Sequence, residues 1–182
     1  MFLVEYPDLE FFNEETQRFV YAEGSSFQIE HSLISLSKWE SIWHKPFLDS
    51  KEKTQEEMLD YIRCMTLTKN VAPSAYQNIP DYVLRDINSY IDDPMTATWF
   101  SKDTRKNKPR SREVITAEII YYWMITLNIP FECQKWHLNR LLTLIRVCSI
   151  KNAPDKKMSR KDIFRNNARL NAARRKALNS RG

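Results

Sequence analysis

The 182 residues are 42% apolar and 12% aromatic, enough to bury one compact core, which excludes collagen-like, mucin-like and fully disordered chains. With only 2 Gly against 8 Pro, a Gly-rich phosphate cradle is excluded as well. The net charge of +5 is unevenly spread: residues 1–101 hold 8 Lys/Arg against 17 Asp/Glu, residues 102–112 hold 6 against 1, and residues 156–182 hold 10 against 1.

The chain begins with apolar and polar residues alternating through Phe2-Leu3-Val4-Glu5-Tyr6, Arg18-Phe19-Val20-Tyr21 and Ser26-Phe27-Gln28-Ile29-Glu30-His31. Aromatic and β-branched residues at period two predict a two- or three-stranded antiparallel sheet within residues 1–31, with Gly24 as its glycine turn. A lone hairpin is marginal in water, so this sheet is expected to pack on the helices that follow. From Ser32 the period changes. Leu33, Leu36, Trp39 and Trp43 form one helical stripe, ended before Pro46. Thr54 and Glu57 form a capping box for a helix reaching about Leu67, with Met58, Ile62 and Met65 inward. Pro80 and Asp81 open a further helix whose apolar face is Val83, Leu84, Ile87, Tyr90 and Ile91, closed by Pro94.

Residues 101–112 contain no apolar residue and read as an exposed loop. The stretch Val114 to Leu127 has few polar positions, which predicts a helix at the centre of the core. After Asn128-Ile129-Pro130, the stretch Phe131 to Ile150 reads as its antiparallel partner, with Trp136, Leu138, Leu141, Leu142, Ile145 and Cys148 or Val147 inward. A basic linker leads to a last helix, Ile163 to Leu178, whose thin apolar stripe runs along Ile163, Leu170 and Ala177. The expected fold class is mainly α with a small N-terminal antiparallel β-sheet and a projecting basic C-terminal helix. Its divisions are residues 1–31 (sheet), 32–150 (helical core) and 151–182 (basic linker and helix).

Little in this pattern points to chemistry. Cys64, Cys133 and Cys148 are too few and too scattered for a disulfide framework and read as free thiols of a reducing compartment. His31, His44 and His137 lack the partner spacing of a zinc site, so no metal or other cofactor is expected. Cys133 and His137 share a helical face, yet a semi-buried histidine beside a core cysteine is the simpler reading. No run approaches a membrane span, and the acidic start does not resemble a signal peptide.

Interaction residues are easier to nominate. Trp39, Trp43 and Trp99 are candidate partner anchors, with Trp99 the most exposed of them, although Trp39, Trp43 and Trp136 also suit core packing. On the basic helix, Phe164, Arg165, Arg169, Leu170 and Arg174 are candidates for docking on acidic protein surface. The same arginines could neutralise phosphate, but aromatic interleaving is absent after Phe164. A third reading is a solvated helix lying on the acidic half of its own chain.

Particular strings carry a family resemblance. The runs Glu30-His31-Ser32-Leu33-Ile34-Ser35-Leu36-Ser37-Lys38-Trp39-Glu40-Ser41, Lys45-Pro46-Phe47-Leu48, Asp60-Tyr61-Ile62-Arg63-Cys64-Met65-Thr66 and Pro94-Met95-Thr96-Ala97-Thr98 resemble proteins of tailed bacteriophages. So do Ile119-Ile120-Tyr121-Tyr122-Trp123-Met124, Ile129-Pro130-Phe131-Glu132-Cys133-Gln134 and Trp136-His137-Leu138-Asn139-Arg140-Leu141-Leu142. The chain is thereby similar to the tail assembly chaperones of long-tailed phages. That resemblance implies a small, largely helical, non-catalytic protein of the host cytoplasm. Such a protein covers the apolar stripes of the helical tape-measure protein until tail tube protein polymerises around it. Self-association and contact of the basic tail with nucleic acid accompany this expectation; a membrane partner does not. The alternative is a structural virion component, a connector or a capsid- or tail-associated protein, whose basic arm touches DNA or a neighbouring subunit.

Overall fold

The computed structural model describes residues 1–13, 17–49, 51–100, 114–153 and 160–178. The chain forms two compact units, Met1–Ser149 and Ile150–Gly182, so the N-terminal strands and the helical core belong to one unit. In the first unit, β1 (Phe2–Tyr6) pairs antiparallel with β4 (Ser25–Ile29), Phe2 opposite Ile29 and Tyr6 opposite Ser25. Between them in sequence, β2 (Leu9–Asn13) pairs with β3 (Arg18–Ala22), Leu9 opposite Ala22. The two ladders keep one register and amount to a single ribbon interrupted at Pro7-Asp8. The interruption has a cause: Pro7 has no N–H for the ladder, and the Gly24 N–H turns to Asp8 Oδ1 at 2.6 Å. The expected two-stranded antiparallel sheet is present, and a second two-stranded ladder continues it. A short extended segment also joins β4, the Glu30 N–H donating to the Met65 carbonyl at 2.9 Å and the Leu67 N–H to that of Gln28 at 2.8 Å.

The centre of the unit is α1 (Leu33–Trp43), which packs against α2, α5 and the 3-10 turn that precedes α6. Ser32 caps it, accepting the Ser35 N–H, while Ser35 Oγ accepts the Ser32 N–H at 2.8 Å. This is a capping box with serine in the usual Glu/Gln position. Leu33, Leu36 and Trp39 are fully enclosed. Helix α2 (Gln55–Met65) has the predicted Thr54–Glu57 box, and its inward face is Tyr61, Ile62 and Met65. The Tyr61 ring stacks on Phe47 with centroids 3.8 Å apart. A five-residue helix, α3 (Pro73–Gln77), has no sequence-level counterpart above and buries Ala75 and Tyr76. In α4 (Asp81–Asp92), Val83, Ile87 and Tyr90 point inward, with Pro80 at the N-cap just ahead of the first turn.

Two expectations for the second half need correction. The helix α5 (Ala117–Thr126) does not sit at the centre of the core: only Ala117, Ile120 and Met124 are buried, and its main helical neighbour is α1. The expected helix from Phe131 to Ile150 is split into a 3-10 turn, Phe131–Lys135, and α6 (Leu138–Lys151). The break falls at Trp136-His137, where the Leu138 N–H donates to the His31 carbonyl at 2.7 Å and so ties the start of α6 to the end of the sheet. Leu138, Leu141 and Ile145 are buried as the period predicts.

The second unit contains α7 (Arg160–Leu178), in which every side chain from Phe164 to Leu178 is exposed. The basic loop of residues 101–112 and most of the linker before α7 lie outside the described residues.

Candidate interaction surfaces

The buried polar groups converge where the sheet meets α2, α4 and α6. His31 Nδ1 and the Tyr61 hydroxyl share a hydrogen bond of 2.6 Å. The His31 and His137 rings meet edge to face, centroids 5.0 Å apart, and Tyr90 abuts His137 at the same separation. His137 Nε2 lies 3.0 Å from the Tyr90 carbonyl oxygen, which can only accept, so that nitrogen carries the proton. Its Nδ1 accepts the Asn139 N–H at 3.3 Å. The Tyr90 hydroxyl donates to Glu30 Oε1 at 2.6 Å, and the Met1 ammonium meets Glu30 Oε2 at the same distance. Burial, reinforced by His137, pushes the His31 imidazole down to about 3, and burial raises the Tyr61 and Tyr90 phenols. The cluster is a knot of satisfied groups, uncharged at the buried His31, Tyr61 and Tyr90 and ionic at the Glu30–Met1 pair, that locks four elements together.

The Cys133–His137 pair does not form a nucleophile and base. Both His137 ring nitrogens are engaged elsewhere, and burial raises the Cys133 thiol above its ordinary value. Among the described residues no group of three or more His, Cys, Asp or Glu is placed to hold a metal ion, and no helix is long and apolar enough to cross a membrane.

The nominated anchors fall into different places. Trp39 must be withdrawn from the surface: its ring is closed inside the core, packed edge-on against Phe47, and its indole N–H donates to the Glu57 carbonyl at 2.8 Å. Trp43 is half-buried, stacked on Trp39 with centroids 6.2 Å apart, and its indole nitrogen is enclosed without a hydrogen-bond partner among the described residues. Trp99 is 83% exposed, as its place beside the basic run suggests. On α7, Phe164 is 81% exposed and Arg165, Arg169, Leu170 and Arg174 are all open to solvent. They do not form one patch. At about 100° per residue, Leu170 lies roughly 120° around the helix from Phe164, and Arg174 lies opposite Arg165.

The apolar surface that the period analysis missed is on α5. Its outward side presents Tyr122 at 64% and Ile125 at 61% exposure, three residues apart, with Glu118 one turn earlier. Ile115, Val114 and Phe131 nearby in sequence are exposed too. The signal was there: a helix with almost no polar positions must be buried on all sides or offer one side to a partner. Elsewhere, an apolar cleft of about 500 Å³ runs between α1 and the end of α2, lined by Ile34, Cys64, Met65 and Leu67 with Lys38 and Lys135 among its residues. Protein-family models, curated proteins and solved structures yield no match to this chain.

Proposed function

We propose that the chain is a non-enzymatic tail assembly chaperone of a long-tailed phage. It would bind the helical tape-measure protein in the host cytoplasm and keep it soluble until tail tube protein assembles, using no metal or organic cofactor. The observation that carries this reading is the outward face of α5, where Tyr122 and Ile125 stand in solvent on a helix whose other side is core. Such a face suits helix-on-helix burial of a partner's apolar stripe. The family resemblance supplies the identity of that partner.

The test is co-expression with the tape-measure reading frame followed by pull-down. Tyr122→Glu and Ile125→Glu together should leave the fold intact, because exposed positions tolerate substitution within about 0.5 kcal/mol. They should also abolish recovery of soluble tape-measure protein. A folded bait that retains no tape-measure protein even without the substitutions would defeat the reading. A second reading, a structural virion component, is favoured by the arginine-rich α7, exposed from Phe164 to Leu178. Its mark would be the presence of the chain in purified particles at fixed stoichiometry; an assembly factor is missing from them.

A further inference from the structure

Between α4 and the basic run, residues 94–100 form an irregular strip against α6. Asn139 anchors its entry, the side-chain amide donating to the carbonyls of Ile91 at 2.9 Å and Asp93 at 2.8 Å. Two arginines of α6 are laid on aromatic rings there: Arg146 over Phe100, 3.9 Å from the ring centroid, and Arg140 over Trp136, 4.4 Å away. Neither forms an ion pair with a described carboxylate. Helix α6 contains Arg140, Arg146 and Lys151 and no acidic residue at all. Between strip and helix lies an open groove of about 430 Å³, with Met95, Thr98, Leu144 and Val147 in its walls. Trp99 stands beside Phe100, largely exposed.

A guanidinium stacked on a ring keeps its outer planar face and its in-plane N–H groups free. A nucleobase can continue the stack on that outer face, and a phosphate can take the N–H groups. Trp99 adds a bare indole face, the platform on which successive unpaired bases stack. Carboxylates of an acidic protein would satisfy the guanidinium edges and leave the indole face unused; a strand of bases and phosphates engages both. We infer that this ledge binds single-stranded nucleic acid crossing α6, with bases stacking on Trp99 and on the outer faces of Arg140 and Arg146, which lie about 120° apart around the helix. The site uses none of the α5 residues, goes beyond the chaperone reading and stands or falls separately from it. It also moves the nucleic-acid contact from the tail, which lacks aromatic interleaving, to the body.

The experiment titrates the full chain into a fluorescein-labelled oligothymidylate of about twenty nucleotides, reading anisotropy and indole emission between ~50 and ~200 mM salt. Saturable binding that quenches indole emission and weakens at least ~10-fold over that salt range is expected. Trp99→Ala should remove most of the quenching and weaken binding about 5-fold or more. Arg140→Glu with Arg146→Glu should weaken binding ~10-fold or more and flatten the salt dependence. Circular dichroism checks that each variant is folded; should the double variant fail to fold, Trp99→Ala alone decides. Arg165→Gln, Arg169→Gln and Arg174→Gln in the tail should preserve the quenching. No saturable binding at low salt, or binding lost only with the tail variant, overturns the proposal. Competition by polyglutamate as effective as by unlabelled oligonucleotide overturns it too, and assigns the ledge to an acidic protein.

Discussion

A single ring, His31, sets the acid tolerance expected of this protein. Its imidazole faces Tyr61 from α2 and His137 ahead of α6; Tyr90 from α4 packs on His137, and Glu30 is the neighbour of His31 on the chain. Folded, it titrates at about 3; unfolded, at the ordinary 6.5. The unfolded chain therefore takes up the proton first, and the stability held by the neutral ring is complete above about pH 6.5 and lost progressively toward pH 3. Glu57 adds to the loss at the acid end, because Lys45 and the Thr54 N–H hold its carboxyl below the usual 4.5. Urea midpoints measured between pH 7.5 and 4 should fall steeply for the native chain, whereas His31→Gln should start lower and fall less. Parallel curves would show that His31 is not the titrating group. Glu40 is a second residue whose role is invisible in sequence. Buried on α1, it accepts the Phe47 N–H at 2.9 Å with one oxygen and the Ala117 N–H at 2.8 Å with the other, capping α5 where Thr116 makes no side-chain cap. Burial raises its carboxyl against the pull of those two N–H groups. Glu40→Gln keeps the shape but sets an amide N–H against one of the donors. It should cost about 1–3 kcal/mol in denaturant unfolding.

At the scale of elements, the ribbon depends on a close approach at one point. A Cβ on Gly24 would lie 2.6 Å from the Tyr6 carbonyl oxygen, 2.7 Å from Pro7 C and 2.8 Å from Asp8 N, all backbone atoms that cannot turn aside. Gly24→Ala should therefore force the two ladders apart at Pro7-Asp8 and cost roughly 1–3 kcal/mol. Amide exchange should quicken in β2 and β3 before it does in α1; unchanged protection would show that the ribbon absorbs the methyl. The helical elements were legible wherever period and caps agreed: α2 from the Thr54–Glu57 box, α4 from the Val83, Ile87 and Tyr90 spacing, the inward face of α6 from Leu138, Leu141 and Ile145. What misled was α5. Period analysis reports which residues are apolar, and burial on one side or on all sides looks alike when nearly every position is apolar. Trp39 misled in the opposite sense, since an indole at helical spacing suits a core and an interface equally. The stack of Arg146 on Phe100 was out of reach, because the two meet only through the path of residues 94–100.

Considered whole, the molecule separates its hydrophobic core from the segment that makes its net charge positive. Among the described residues, every member of the hydrophobic core, and every partly buried apolar residue packed on it, lies at or before Cys148. Residues 152–182 hold 10 Lys/Arg against 2 Asp/Glu, so the chain without them is net acidic although the complete chain is net basic. A stop codon after Lys151 should leave the thermal midpoint within a few degrees of the full chain, since about 1 kcal/mol moves a domain of this size by roughly 2–4 °C and no core contact is removed. The same truncation separates the functional readings. An α5-borne chaperone should still hold tape-measure protein, because Tyr122 and Ile125 remain. A virion component anchored through α7 should fail to enter particles when the shortened chain replaces the complete one. Ledge-bound nucleic acid should persist with its indole quenching and its salt dependence intact, because every proposed contact lies before Lys151. A truncated chain that unfolds would show that residues 152–182 support the first unit after all, whereas one that keeps its midpoint but loses tape-measure binding would shift the burden of function from α5 to α7.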